Sequence, residues 1–226
     1  MLLLLFTFAF AFACATPPEP APPEPSSPRP PAPATAPVPR AAGPRIVFLG
    51  DSLSAGMGLA VDDAFPSRLG KALAEHGLPA DIVNAGVSGD TTAGGLRRVD
   101  WVLSQKPDIL VLELGANDMF RGMPPADVDT NLRAIVAKAQ GAGATVLLLG
   151  MRANPTLGPD YVAAFDAIYP KIARDMHVPL VPFVLDGVAG DSALNQADGI
   201  HPTAEGHVRI TTLVLPALEP LVRARQ

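Results

Sequence analysis

Short apolar runs alternate with stretches of helical spacing along most of this 226-residue chain, and this alternation limits the fold more than any other feature. Five runs have the length and composition of buried parallel strands, at residues 46–49, 81–84, 109–114, 145–149 and 179–183. The other stretches place apolar side chains at helical spacing, at residues 65–76, 92–105, 126–140, 161–177 and 204–222. Such alternation forms a parallel sheet with helices on both faces. The predicted fold class is α/β, a flavodoxin-like three-layer α/β/α sandwich with a five-stranded parallel sheet.

Glycines mark the expected ends of two of these helices. Gly77 follows the first helix, and Gly141 and Gly143 follow the third. A left-handed residue commonly ends a helix, and glycine adopts that conformation without steric penalty. We therefore expect a positive φ at all three positions.

The domain organisation follows from composition. Residues 14–43 are mostly Pro, Ala, Glu and Ser, with too little apolar side-chain area to offset the entropy of ordering, so we predict an extended tether. Residues 44–226 are long enough for one domain with a substantial core. The net charge of −5 and the lack of any Lys/Arg run argue against a nucleic acid as partner.

The N-terminus has the pattern of an export signal. Residues 2–12 form an unbroken apolar run, which matches the core of a signal peptide and is too short to span a bilayer. Ala11-Phe12-Ala13 ends the run with a small-x-small cleavage pattern directly before Cys14. We therefore predict a signal peptide at residues 1–13 and export of the protein.

Cys14 is the only cysteine in the chain, which excludes an internal disulfide and a Cys-based metal cluster. Cleavage before Cys14 makes it the new N-terminal residue, and the segment resembles the lipobox of bacterial lipoproteins. We favour a lipid anchor on Cys14 that attaches the protein to a membrane. The alternative is a cysteine that lies within a discarded signal.

Polar residues and glycine follow the first three predicted strands. Ser52, Gly89 and Asn117 come just after the strands at 46–49, 81–84 and 109–114, respectively. Ligands of doubly wound sheets bind beyond the carboxyl ends of the strands. The sequence therefore predicts a single site at this edge of the sheet.

Ser52 becomes a candidate nucleophile because the chain also offers a base and an acid. Taken alone, Ser52 after Gly50-Asp51 is also typical of a serine that caps a helix or bonds the backbone of a turn. We assign Asp51 to holding that turn by bonding backbone N–H groups. His201 stands on a predicted loop with Asp198 three residues upstream, a spacing that one tight turn brings into hydrogen-bond reach. A hydroxyl, an imidazole and an orienting carboxylate are the components of acyl transfer through a covalent intermediate.

The other three histidines have simpler interpretations. His76 and His177 close predicted helices and fit solvated C-terminal charges, and His207 fits a surface or packing residue of the last helix. A zinc site at His201 and His207 lacks a third His or Cys ligand, so we predict no metal. Asp198-Gly199 alone also fits ordinary turn chemistry.

Acyl transfer also requires hydrogen-bond donors for the oxyanion of the tetrahedral intermediate. Gly89 has no side chain, so its N–H can approach a substrate closely, and Asn117 offers a neutral side-chain amide. The alternatives are a turn glycine and an asparagine that caps the next segment. Because Gly89 and Asn117 are both expected at one edge of the sheet, we favour their assignment as donors of the oxyanion hole.

At these residues the chain resembles the SGNH, or GDSL, hydrolase superfamily, and within it the bacterial periplasmic arylesterase and multifunctional esterase/thioesterase/lysophospholipase branch. The resemblance rests on four motifs in order, Gly50-Asp51-Ser52-Leu53, Ser88-Gly89-Asp90-Thr91, Gly115-Ala116-Asn117-Asp118 and Asp198-Gly199-Ile200-His201-Pro202. It implies Ser52 as nucleophile, Asp198 and His201 as acid and base, and Ser52 N–H, Gly89 and Asn117 as oxyanion donors. Ala116 departs from the family pattern, where glycine is frequent.

The resemblance implies a periplasmic serine esterase that hydrolyses aryl and short-to-medium acyl esters or thioesters, with lysophospholipid as a further substrate and without a cofactor. Met119, Phe120 and Pro155 are the candidate substrate-binding residues, although the methionines also fit the domain's own core. We favour a monomer. Two alternatives stay open: a carbohydrate O-deacetylase of the same superfamily, and a non-catalytic flavodoxin-like binding domain.

Overall fold

The computed structural model describes residues 43–226. The predicted signal peptide, the candidate lipidation site Cys14 and all but the last residue of the predicted tether lie outside the described residues. The strands are β1 (Arg45–Gly50), β2 (Asp81–Asn84), β3 (Ile109–Glu113), β4 (Thr145–Leu149) and β5 (Leu180–Val181). The helices are α1 (Ser52–Ala55), α2 (Phe65–Glu75), α3 (Thr92–Ser104), α4 (Ala116–Phe120), α5 (Pro125–Gly141), α6 (Pro159–Asp166), α7 (Ile168–Met176) and α8 (Ala204–Arg223).

All five strands pair in parallel, in the order β2-β1-β3-β4-β5. The crossover from β1 to β2 runs in the opposite direction to the later crossovers. Because such crossovers are right-handed, α2 lies on one face of the sheet and α3, α5 and α7 lie on the other. The last helix, α8, packs beside α2. The predicted three-layer α/β/α sandwich with a five-stranded parallel sheet is confirmed.

The core lies on both faces of the central strands. The residues of β3 are fully buried, and so are the apolar residues of β1. Continuous apolar runs of this kind are typical of strands that are covered by helices on both faces. Within residues 43–226, no helix combines the length and the hydrophobicity that crossing a membrane requires.

Prolines explain two differences from the predicted elements. The helix expected at 161–177 is two helices, because Pro170 has no N–H to donate to the carbonyl of Asp166, where α6 ends. The strand expected at 179–183 is only Leu180–Val181, and Pro182, which cannot donate a ladder bond, follows it directly.

The expected positive φ is correct at two of the three helix-ending glycines. Gly77 has φ 73° and Gly143 has φ 84°. Gly141 does not have a positive φ, because α5 continues through it and the chain turns two residues later. At the end of α7 the left-handed residue is His177, with φ 54°.

Candidate active site

Ser52 is the first residue of α1, directly beyond the carboxyl end of β1. Asp51 caps this one-turn helix, since its Oδ1 accepts a hydrogen bond from the Leu53 N–H at 3.0 Å. The first N–H groups of a helix have no intrahelical acceptor, so the Ser52 N–H is available to a ligand. Gly56 ends the helix with φ 70°, and an added Cβ there would lie 2.6 Å from the Cβ of Ala64.

The loop between β5 and α8 brings His201 to Ser52. The Nε2 of His201 lies 2.9 Å from the Oγ of Ser52, and its Nδ1 lies 2.7 Å from the Oδ2 of Asp198. With Asp198 holding Nδ1–H, the imidazole presents an unprotonated Nε2 to the hydroxyl. The structure thus joins the hydroxyl, imidazole and carboxylate in one hydrogen-bonded series.

Hydrogen bonds join this loop internally and also to the segment that follows Ser52. The Gln196 N–H donates to the carbonyl of His201 at 2.7 Å, and Asn195 forms an isolated antiparallel bridge with Pro202. The side-chain amide of Gln196 also donates to the carbonyl of Met57 at 2.8 Å. These bonds fix the position of the imidazole relative to the segment that follows Ser52.

Asp198 is stabilised as a carboxylate although its side chain is 43% exposed. The hydrogen bond from the His201 side chain holds the pKa of Asp198 well below its usual range, and the backbone N–H groups of His201 and Ile200 contribute in the same direction. Those two N–H groups both donate to Oδ1, which leaves Oδ2 for the imidazole. The carboxyl group of Asp198 is therefore ionised at neutral pH.

Asn117 lies in α4, just beyond β3, and its amide faces the turn that contains Asp51 and Ser52. One hydrogen of Nδ2 donates to the Oδ2 of Asp51 at 3.0 Å, which leaves the other hydrogen for a second acceptor. Burial raises the pKa of Asp51 to about 6, and the bonds from Leu53 N–H and Asn117 oppose that rise. Asp51 bonds one backbone N–H, as expected, but it also orients Asn117.

Gly89 follows β2 in a turn with φ 80°, a conformation that favours glycine. Arg98 joins this turn to the end of β1: its Nε donates to the carboxylate of Asp90 at 2.7 Å, and its Nη2 donates to the carbonyl of Gly50 at 2.9 Å. Nη1 also donates to the carbonyl of Ala85. One guanidinium therefore connects the segments that carry Gly89 and Ser52.

The three predicted substrate-binding residues differ in position. Met119 is 6% exposed and belongs to the hydrophobic core, which favours the packing alternative over contact with a substrate. Phe120 is 53% exposed, in the segment after Asn117. Pro155 is exposed and begins a short 3₁₀ turn after β4. Phe120 and Pro155 therefore remain available to a ligand at the carboxyl edge of the sheet.

The remaining histidines form no hydrogen bond with Ser52, Asp198 or His201 in the structure. His76 pairs with Glu219 on α8, so it is bonded rather than freely solvated. His207 is buried, and its Nδ1 accepts a hydrogen bond from the Phe65 N–H at 3.0 Å. Burial lowers the pKa of His207 to about 4, which keeps it neutral. Within residues 43–226, no three His, Cys, Asp or Glu side chains form a group that could hold a metal ion.

Arg98 and Glu113 were not singled out in the sequence analysis, although they bond Gly50 and Ser54, respectively, on either side of Ser52. Arg98 lies on a predicted helix, and nothing in the sequence distinguishes it from other arginines on helix surfaces. Glu113 does have a signal, because it is an acidic residue at the end of an otherwise apolar strand. Acidic residues are rarely buried without a specific partner.

Comparison with known proteins identifies the family. Residues 48–209 match the model of the GDSL-like Lipase/Acylhydrolase family. Esterase TesA of Pseudomonas aeruginosa is 44% identical over 81% of this chain and 92% of its own length. An arylesterase of Vibrio mimicus is 39% identical, over 78% and 89%. The thioesterase 1/protease 1/lysophospholipase L1 of Escherichia coli K12 is 38% identical, over 80% and 86%.

The fold agrees with this assignment. A crystal structure of TesA, 44% identical in sequence, superposes with a TM-score of 0.76 over 78% of this chain and 99% of that chain. These similarities support the predicted ester hydrolase over the non-catalytic binding domain. The chain belongs to the GDSL-like lipase/acylhydrolase family and is a carboxylic ester hydrolase.

Proposed function

We propose that the chain hydrolyses aryl and short-to-medium acyl esters and thioesters by acyl transfer to Ser52. The observation that carries this proposal is the 2.9 Å separation between the Oγ of Ser52 and the Nε2 of His201. A serine hydroxyl is a weak nucleophile unless an adjacent base accepts its proton, and this separation is within the range for such a transfer.

In the acylation step, the Oγ of Ser52 attacks the substrate carbonyl while His201 Nε2 accepts the hydroxyl proton. Asp198, 2.7 Å from Nδ1, stabilises the imidazolium that forms. The imidazolium then donates its proton to the leaving alcohol or thiol as the tetrahedral intermediate collapses. In the deacylation step, His201 activates water, which attacks the acyl-enzyme and releases the carboxylic acid.

The oxyanion of each tetrahedral intermediate would lie among the Ser52 N–H, the Gly89 N–H and the free amide hydrogen of Asn117. These donors belong to the segments that follow β1, β2 and β3. Donors that are fixed before the reaction contribute roughly 3–4 kcal/mol each to transition-state stabilisation. No step requires a metal or an organic cofactor.

The substrate class rests on the relatives and on the surroundings of the site. The relatives are named as an esterase, an arylesterase and a thioesterase/lysophospholipase. Phe120, exposed beyond the Asn117 donor, and Pro155, exposed beyond β4, offer apolar contacts to an aryl or acyl group. A series of p-nitrophenyl esters from acetate to octanoate, with acetylated sugars for comparison, measures the preference through kcat/KM.

Substitution of Ser52 or His201 by alanine tests the mechanism. We expect Ser52→Ala and His201→Ala each to lower kcat for p-nitrophenyl butyrate by about 10⁴-fold or more, with an unchanged circular dichroism spectrum. Ser104→Ala is a matched control, because the Ser104 hydroxyl is exposed and bonds only its near neighbours, donating to the carbonyl of Trp101 and accepting from the side-chain amide of Gln105. Full activity in either alanine variant of the triad would reject the assignment.

For the N-terminus, we propose export to the periplasm and a lipid on Cys14, on the sequence pattern of residues 2–14. Cells that express the full chain should incorporate radiolabelled palmitate into it, and globomycin should block its processing. Cys14→Ser is the control that should lose the label. A freely soluble periplasmic protein without palmitate would contradict the proposed lipid anchor and would still support export.

A further inference from the structure

Glu113 lies beneath the nucleophile turn, as the last residue of β3 and the register partner of Gly50. Its side chain is fully buried. Its Oε2 accepts hydrogen bonds from the Asp51 N–H at 3.3 Å, the Ser54 N–H at 3.2 Å and the Ser54 hydroxyl at 2.8 Å. The donors flank Ser52 in sequence, so a single oxygen holds the turn on both sides of the nucleophile.

The packing around the Oε2 of Glu113 leaves no room for a side chain at Gly50. A Cβ added at Gly50 would lie 2.1 Å from the Oγ of Ser54 and 2.6 Å from the Oε2 of Glu113. Glycine before Asp51 is therefore required for the acceptor to reach the turn. The side-chain amide of Asn84, at the end of β2, donates to the carbonyl of Ser54 at 2.7 Å. Ser54 is thus held by residues of both strands that neighbour β1.

Glu113 acts in this position as a hydrogen-bond acceptor through one of its two oxygens. Its other oxygen, Oε1, is buried and has no hydrogen-bond partner among the described residues. Burial, and next to it the carboxylate of Asp51, raises the pKa of Glu113 well above its usual range. Oε2, which accepts all three hydrogen bonds, is the oxygen that holds the turn. Glu113 has no contact with the Ser52 hydroxyl or the imidazole in the structure and is not a catalytic residue.

We propose that Glu113 is a positioning residue, whose Oε2 fixes the nucleophile turn so that the Ser52 hydroxyl meets His201 and the Ser52 N–H is directed at the oxyanion. The inference rests on the proposed role of Ser52 as nucleophile. Without the acceptor, three buried donors lose their partner and the turn relaxes. A displacement of about 1 Å in an active site is enough to lower the rate about 10²-fold.

Two variants of similar volume separate the acceptor from mere space filling. Glu113→Gln keeps an oxygen that accepts the same three bonds, so we expect kcat for p-nitrophenyl butyrate within about threefold of wild type. Glu113→Met fills the same space without an acceptor, and we expect kcat to fall about 10- to 100-fold while KM stays within about twofold. Reaction of Ser52 with a fluorophosphonate should slow by a similar factor.

Asp108→Ala is the control for stability, because Asp108 lies at the other end of β3 and accepts the Arg45 N–H at 2.7 Å. We expect a lower Tm without a change in kcat. A kcat of Glu113→Met within twofold of wild type would overturn the proposal, and so would a Gln variant as impaired as the Met variant.

If Glu113→Met does not fold, Ser54→Ala removes one of the three donors and should lower kcat several-fold at unchanged KM. A wild-type kcat in Ser54→Ala would also overturn the proposal. Ser52→Ala distinguishes this failure from failure of the proposed function. If Ser52→Ala is active, Ser52 is not the nucleophile and the proposed function fails. If Ser52→Ala is inactive and Glu113→Met is fully active, only the proposed role of Glu113 fails.

Discussion

One hydrogen of the Asn117 side-chain amide is bonded to a carboxylate of the protein, and the other is the proposed oxyanion donor. Asp51 Oδ2 accepts one hydrogen at 3.0 Å, and this bond sets the direction of the other. We expect Asn117→Ala to lower kcat by about 10²- to 10³-fold, because a fixed oxyanion donor is lost, while KM changes little. Steady-state kinetics with p-nitrophenyl butyrate measures both constants. A loss confined to KM would show that Asn117 binds substrate and does not stabilise the oxyanion.

His207 makes the stability of the protein depend on pH. Its pKa is about 4 in the folded protein and about 6.5 when unfolded, so the unfolded chain binds a proton first as the pH falls. This contribution to stability is therefore present above pH 6.5 and is lost as the pH decreases towards 4. We expect a loss of about 2 kcal/mol between pH 7 and pH 4.5 in urea unfolding.

His207→Asn provides the comparison, because its side-chain oxygen can accept the Phe65 N–H and does not titrate. Asp51, whose raised pKa contributes with the opposite sign in the same pH range, is common to both proteins. The difference between the two pH profiles therefore isolates His207. Parallel profiles would contradict a neutral, buried histidine.

At the scale of elements, the site depends on how the segments beyond β1 and β2 are joined. Arg98 on α3 bonds Gly50, Ala85 and Asp90 at once, and a lysine ammonium cannot reproduce that planar set of donors. We expect Arg98→Lys to lower kcat about tenfold at nearly constant KM, because Gly89 moves relative to Ser52. Arg97→Lys, at an exposed neighbour on the same helix, should leave kcat unchanged.

The elements themselves were largely predictable, because apolar runs and helical spacing record burial directly. The errors occur where one backbone group decides the outcome. Pro170 divides a helix that the apolar spacing suggested was continuous, and α5 extends through Gly141. Neither effect changes the apolar pattern, so the pattern alone could not reveal it.

For the whole molecule, the sequence predicted which chemistry meets at one edge of the sheet and missed what holds it there. Ser52, Gly89 and Asn117 follow strands that are neighbours in the observed order. The alternation of elements implied that the carboxyl ends of these strands share one edge of the sheet. Glu113 accepts two hydrogen bonds from Ser54, 59 positions away, and Arg98 donates one to Gly50, 48 positions away. Such contacts depend on the register and on side-chain direction, which no short motif encodes.

The proposed mechanism requires that the hydroxyl of Ser52 and the imidazole of His201, 149 positions apart in sequence, act as one reacting pair. Reaction with a fluorophosphonate, followed by digestion and mass spectrometry, tests it directly. We expect one label per chain, on Ser52, formed at a rate that falls by at least about 10³-fold in His201→Ala. Label on another serine, or labelling of Ser52 at an undiminished rate without His201, would contradict it.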